Sequence, residues 1–243
     1  MFTLFKKEIR AFLSSLIGYI AICVFLLLVG LFLWILPNGN NILTNGYAGL
    51  DPLFSLAPWV FLFLIPAITM RSFADEKKAG TIEFLLTKPL TDLQIILAKY
   101  LASVVLVLFS LLPTLIYYFS VYKLGNPVGN IDSGGTWGSY IGLFFLAAAF
   151  AAIGVFASSL SDNQIVAFIL AVFLCFFCYI GFDYISELDL FQKADDLIIS
   201  LGINDHYMSM SRGVIDTRDM VYYLSLIAIF ILMTKTTLES RKW

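Results

Sequence analysis

The chain has 243 residues, of which 60% are hydrophobic and 13% charged, against roughly 45–50% apolar and about 25% charged in soluble domains. Water is therefore not the main solvent of this surface. At roughly 20 apolar residues per crossing, the length holds about six spans and leaves little for a soluble domain, so residues 1–243 read as a single transmembrane domain. The net charge of −2 decides nothing by itself, but no Arg- or Lys-rich run exists to bind a nucleic acid.

In chain order, nearly charge-free runs fall at 16–36, 53–70, 95–121, 137–160, 165–182 and 220–238. The first is too long for the core of a secretory signal, about 7–15 residues, and no small-x-small cleavage site precedes Pro37, so it reads as a retained span. The last contains Lys235, which is expected to snorkel its ammonium toward the headgroups. Placing the N-terminus in the cytoplasm collects Lys6, Lys7, Arg10, Arg71, Lys77, Lys78, Lys88, Lys99, Lys235, Arg241 and Lys242 inside. Only Lys123, Lys193, Arg212 and Arg218 then fall outside. That asymmetry predicts a multi-pass protein with both termini cytoplasmic.

Two outer connections, 37–52 and 123–136, are rich in Gly, Asn and Pro and read as loops. The third, 183–219, intersperses Leu188, Leu190, Phe191, Leu197, Ile198 and Ile203 with acids, which predicts short amphipathic helices at the membrane surface. Within the spans, Gly138 and Gly142 form a G-x-x-x-G, and Gly154 with Ser158 repeats the small-residue spacing. Packing inside the chain is a more economical reading of this spacing than a dedicated dimer seam. Pro66 and Pro113 are expected to kink their helices.

The most informative stretch is the cytoplasmic connection 71–94. Gly80 or Thr81 can start a short helix, Glu83 suits its first turn and Pro89 forbids its continuation, which predicts a helix over Thr81–Thr87. Thr91 and Gln94 then form a capping box that starts the helix of the third span, and Ser161 with Gln164 is read as the same device before the fifth.

This stretch resembles the membrane subunits of ABC-2 type exporters. Their second and third spans are joined by E-x-x-x-G-T-x-E-x-L-L-x-x-P, with a lysine entering the next span. Glu76, Gly80, Thr81, Glu83, Leu85, Leu86, Pro89 and Lys99 stand at those places. The resemblance extends over the chain, including Ser211, Arg212, Gly213, Val214, Ile215 and Asp216 before the last span, and is marked toward the permeases associated with gliding motility in Bacteroidetes. It implies an all-α, six-span ABC-2 permease of the bacterial inner membrane, with short outer helices before the last span. Residues 1–15, with Lys6, Lys7 and Arg10 against Phe2, Leu4 and Phe5, would be an interface helix along the lipid headgroups.

The same resemblance makes Thr81–Thr87 a coupling helix that inserts into a separate ATPase subunit. Glu76, Lys77, Lys78 and Glu83 would offer it charge, and Leu85 and Leu86 apolar anchors. The chain lacks a G-x-x-x-x-G-K-[ST] phosphate loop, so ATP and magnesium would be held by a dimer of the partner ATPase. No cofactor is expected on this chain, and no catalytic residue. The membrane core would be completed by a second copy or by a related subunit with an outer domain.

Rival classes find less support. An intramembrane enzyme needs a polar constellation in the bilayer, and the sole histidine, His206, lies in the outer connection. Asp195, Asp196, Asp205 and His206 could be imagined around a metal, but acid-rich outer loops are ordinarily just solvated. Cys175 and Cys178, although spaced C-x-x-C, sit in an apolar run where thiols are inert. An ion-gradient transporter would place ionisable residues in mid-span, where almost none occur. A non-transporting scaffold is an alternative that the sequence does not separate from a permease.

Overall fold

The computed structural model describes residues 1–83, 90–187 and 195–240, apart from the side chains of Ile17 and Asp196. Among the described residues every regular element is helical. The order is α1 (Phe2–Leu13), α2 (Leu16–Gly30, extended by a π turn over Leu31–Ile35), α3 (Asp51–Thr69), α4 (Arg71–Lys78), α5 (Asp92–Leu111), a 3₁₀ turn (Leu112–Thr114) and α6 (Leu115–Leu124). Then follow α7 (Ser133–Leu160), α8 (Gln164–Phe176, extended by a π turn over Phe177–Gly181), α9 (Phe182–Ser186), α10 (Asp195–Ile199), α11 (Ile203–Met210) and α12 (Thr217–Glu239). Among the described residues, six rods are long and apolar enough to cross a bilayer: Gly18–Ile35, Asp51–Lys78, Asp92–Leu124, Ser133–Leu160, Gln164–Ser186 and Thr217–Glu239.

The bundle is built around α7, which packs against α3, α4, α5, α8, α11 and α12. Its centre supplies the reason. Ala147, Ala148, Ala149, Ala151 and Ala152 are buried, and such small side chains let several backbones approach one helix. At 28 residues it is about 42 Å long at 1.5 Å per residue, against a hydrocarbon core of about 30 Å. Both its ends therefore reach the polar layers.

The glycines of α7 are used inside the chain. A β-carbon on Gly138 would collide with the backbone of Gly213, one on Gly142 would lie 2.6 Å from Met210 Cβ, and one on Gly154 would collide with the Thr69 side chain. Gly213 itself has φ +84°, a conformation that suits glycine.

Several boundaries differ from those drawn at the edges of apolar runs. The second rod does not stop at residue 70: after a one-residue interruption at Met70 it continues as α4 to Lys78. Ser158 Oγ sits in the break, accepting from the N–H groups of Phe73 (2.9 Å) and Ala74 (3.2 Å) and donating to Met70 O (2.9 Å). The third rod begins at Asp92 and, through the 3₁₀ turn that contains Pro113, ends at Leu124. Lys235 pairs with Glu239 at 3.6 Å one turn on, within the last rod.

In the connection before the last rod, α11 and the turn after it are docked into the bundle, not laid on its surface. In α11 Ile203, Tyr207 and Met210 are buried, Tyr207 OH donates to Phe54 O (2.6 Å), and Ser139 Oγ on α7 donates to Ser211 O (2.8 Å). Burial pushes the Tyr207 phenol well above its usual pKa. Leu188, Leu190 and Phe191 lie outside the described residues.

Candidate functional site at the basic end of the bundle

The end of the bundle that carries α1 and α4 holds a charge network built by three helices. Along α1, Leu4, Glu8 and Phe12 follow one another at i, i+4 and i+8, with Leu4 and Phe12 buried, so Glu8 is on the face that meets the bundle. Along α5, Lys99 lies among the buried residues Ile95, Ile96 and Ser103. Glu76 occupies the last turn of α4. Lys99 Nζ is 3.0 Å from Glu8 Oε1 and 3.0 Å from Glu76 Oε2, and 5.1 Å from the centre of the Phe73 ring. Lys7 Nζ bridges the same two carboxylates, 3.1 Å from Glu76 and 3.6 Å from Glu8.

Two lysines against two glutamates sum to zero charge, which is the condition for keeping an ammonium inside. The Lys99 side chain is 1% exposed, and an unpaired charge at that depth would cost several kcal/mol. Lys7 is more open. Burial opposes its charge, but the hydrogen bond and charge of Glu76, with those of Glu8, outweigh it and raise the Lys7 pKa above the usual lysine value.

α4 is thereby held from four sides. α1 and α5 grip it through Glu76, the last turn of α7 through Ser158, and the start of α8 through Gln164, whose Nε2 donates to Asp75 Oδ1. Lys77 Nζ donates to Ser159 O, also on α7. The helix then ends in a Schellman motif: Thr81 N–H donates to Glu76 O (2.9 Å), Gly80 N–H donates to Lys77 O (3.1 Å), and Gly80 takes φ +66°.

The residues singled out from the sequence divide accordingly. Glu76 and Lys77 are not presented outward, because their head groups are engaged by other helices. Lys78, Thr81 and Glu83 are exposed. Gly80 and Thr81 close α4, the Thr81 hydroxyl donating back to Glu76 O (3.4 Å), and residues 82–83 directly after them are again helical. Leu85, Leu86 and Pro89, with most of the helix expected over Thr81–Thr87, lie outside the described residues. On α1, Arg10 and Lys6 are exposed, Lys6 Nζ standing 4.6 Å from the Phe2 ring centre.

Of the two capping boxes, the one at Thr91 and Gln94 is formed in both directions, each bond 3.3 Å. The one at Ser161 is not. Asn163 caps α8 by accepting from Ile165 N–H (2.9 Å), Ser161 Oγ accepts from Asn163 N–H (3.0 Å), and Gln164 is turned to Asp75.

Glu8 was the residue that sequence reasoning passed over, masked by the bases around it. Its signal is the position between Leu4 and Phe12 on an otherwise apolar stripe, opposite a lysine inside a span.

The opposite end has its own polar cluster. His206 Nδ1 is 2.7 Å from Asp219 Oδ1 and Nε2 is 3.0 Å from Ser200 O, while Ser209 Oγ donates to Asp219 Oδ2. Serine and histidine thus share one carboxylate, and Ser209 Oγ meets the His206 backbone carbonyl (3.0 Å) while the ring nitrogens face Asp219 and Ser200 O, so this is not the arrangement of an activated nucleophile. Among the described residues no group of three His, Cys, Asp or Glu side chains is placed to hold a metal, and Cys175 and Cys178 are free thiols.

Residues 35–234 match a family model described as ABC-2 family transporter protein. The matched region includes α4, Lys99 and Gln164, while α1 with Glu8 precedes it. No curated protein gives a significant match to the chain.

Proposed function

Since the chain belongs to the ABC-2 family of transporter proteins, and is thus a membrane permease component, we propose that it works as the transmembrane subunit of an exporter driven by a separate ATPase that docks just beyond Gly80. The observation that carries this reading is the seating of α4. A short charged helix continues from α3 and is tied to α1, α5, α7 and α8 by specific polar contacts. A pull applied beyond Gly80 reaches four other helices through those contacts, instead of being absorbed by a loose loop.

In this reading α1 and α4 face the cytoplasm of a bacterial cell, at the inner membrane. ATP and magnesium are bound by a dimer of the partner ATPase. Its closure pulls the segment after Gly80 and shifts the spans between inward and outward accessibility. A second copy, or a related membrane subunit with an outer domain, completes the membrane core. Charge-poor spans suit a lipid-like or amphipathic cargo, or mechanical work on an outer partner. The resemblance to gliding-motility permeases supports gliding as the process served.

Glu83 is the residue on which to test this, because it is exposed and lies outside the α4 contacts. Glu83→Lys is expected to abolish transport and stimulation of the ATPase, with membrane insertion and yield unchanged. Full ATPase coupling in that variant would sink the proposal. Affinity purification of the native chain in mild detergent is expected to bring down an ATPase.

A further inference from the structure

Beside Lys99, helices α1, α3, α4 and α5 leave a cavity of about 180 Å³, room for about six waters at ~30 Å³ each. Its walls divide by chemistry. Lys7, Arg71 and Lys99 face Glu8, Asp75 and Glu76 around one part, and Ile68, Ala102 and Leu106 form an apolar part toward the spans. One donor there is unsatisfied: Arg71 Nε is buried with no hydrogen-bond partner, and its nearest carboxylate oxygen, Asp75 Oδ2, stands 3.9 Å away. Leaving a buried donor unpaired is unfavourable, and a ligand oxygen would satisfy it. On the other wall, Glu8 Oε1 meets both lysines, and Glu76 Oε2, ion-paired with Lys99, is buried without a hydrogen-bond partner.

We propose that this cavity binds the headgroup of a zwitterionic phospholipid, with its phosphate against Arg71 and its ammonium against the Glu8 carboxylate. Three positive and three negative side chains balance, so the site offers no excess field for a net anion and suits a ligand that carries both charges. The apolar part gives the glycerol and the first acyl carbons a surface that a free phosphate would leave empty. α1 forms one wall and has Phe2 66% exposed beside Lys6, a pattern that seats the mouth of the cavity at headgroup depth. The site rests on α1 lying at the membrane surface and does not depend on the docking of an ATPase.

The test uses the full chain, purified in mild detergent and stripped of lipid. It is titrated with short-chain phosphatidylethanolamine, short-chain phosphatidylglycerol, glycerophosphoethanolamine and inorganic phosphate, with binding read by native mass spectrometry and thermal shift. One phosphatidylethanolamine is expected to bind and raise the melting temperature. Arg71→Lys, which keeps the charge but loses the Nε donor, and Ala102→Leu, which fills the apolar part, are each expected to weaken it about tenfold. Lys123→Gln, an exposed residue at the far end of the third rod from the cavity, should leave binding unchanged. Equal binding of phosphatidylglycerol would overturn the zwitterionic assignment. Equal binding of glycerophosphoethanolamine would show a site for a soluble phosphodiester, and equal binding of phosphate a free-phosphate site; either overturns the lipid. Unchanged affinity in both cavity variants would overturn the location. Should one variant fail to fold, the other still decides. ATPase stimulation, measured separately in the Glu83→Lys variant, keeps failure here distinct from failure of the coupling proposal.

Discussion

Lys99 and Glu76 meet at 3.0 Å with the lysine side chain 1% exposed, so the third span and the stem of α4 share a charge pair that water barely reaches. Burying the pair is not in itself a large source of stability, since desolvation offsets most of the attraction; removing one partner is what costs, at about 3–5 kcal/mol. Lys99→Met removes the buried cation between Glu8 and Glu76 and leaves the exposed Lys7 to bridge them. It is expected to lower the melting temperature of the detergent-purified chain sharply, and Lys99→Met combined with Glu76→Gln is expected to recover part of the loss. A Lys99→Met protein that melts like the native one would show the network to be incidental.

Lys7 makes contacts of similar length but its side chain is 59% exposed, and exposed pairs are worth about 0–1 kcal/mol. Lys7→Gln is therefore expected to cost far less than Lys99→Met. The sign of its pH dependence follows from a folded-state pKa raised above 10.5. The contribution is fully present below the unfolded lysine value and is lost only as pH rises through the folded one. The gap in melting temperature between native and Lys7→Gln should thus stay constant from about pH 7 to about pH 9; narrowing within that window would contradict the assignment.

Ser158 holds the break between α3 and α4 with one hydroxyl serving three backbone groups. Ser158→Ala leaves two buried N–H groups without that acceptor, at about 1–3 kcal/mol for each orphaned group. The effect should be local. Amide exchange in α4 is expected to quicken while that of α3 above Pro66 is unaffected. Uniform exchange across both helices would show that the joint does not depend on Ser158.

The spans were legible from sequence because lipid imposes a demand that composition can display: a helix must present about 20 apolar residues to it. Their ends were not, because Arg71–Lys78 is as charged as a loop and is helical only with partners such as Ser158 and Gln164 that lie far along the chain. Local devices fared according to how many groups competed. Thr91 and Gln94 had only each other, whereas the Ser161 device lost to Asn163, whose side chain reaches the N–H two residues on, and to Asp75, which takes the glutamine. Gly80 was recognised as the boundary before a helix, and helical residues do follow at 82–83; that it also closes α4 was missed, because Arg71–Lys78 was not read as helical. The Glu76 and Lys99 positions of the motif were visible as letters; that they are a contact pair, completed by Glu8, depended on the packing of α1 against α5.

The glycines of α7 separate packing inside the chain from a seam between copies, because the two make different demands on an added methyl group. Gly138→Ala would press a β-carbon into the Gly213 backbone, which cannot rotate away, and Gly213 is held at φ +84° where any other residue is strained. Gly154→Ala meets the Thr69 hydroxyl, which can give up its bond to Ile65 O and turn, and Thr69 Cβ at 2.9 Å, which needs only a small shift of the helix. Overpacking costs about 1–3 kcal/mol, so Gly138→Ala is expected at the upper end of that range and Gly154→Ala at the lower, both read as loss of melting temperature that does not vary with protein concentration. If these glycines instead lined a contact between two copies, the same substitutions would shift the oligomer distribution, and their effect on melting would fade as the protein is diluted and the copies part. Size-exclusion profiles of the two variants across a dilution series discriminate: unchanged profiles with a concentration-independent melting loss assign the G-x-x-x-G of α7 to its junction with the Met210–Gly213 turn.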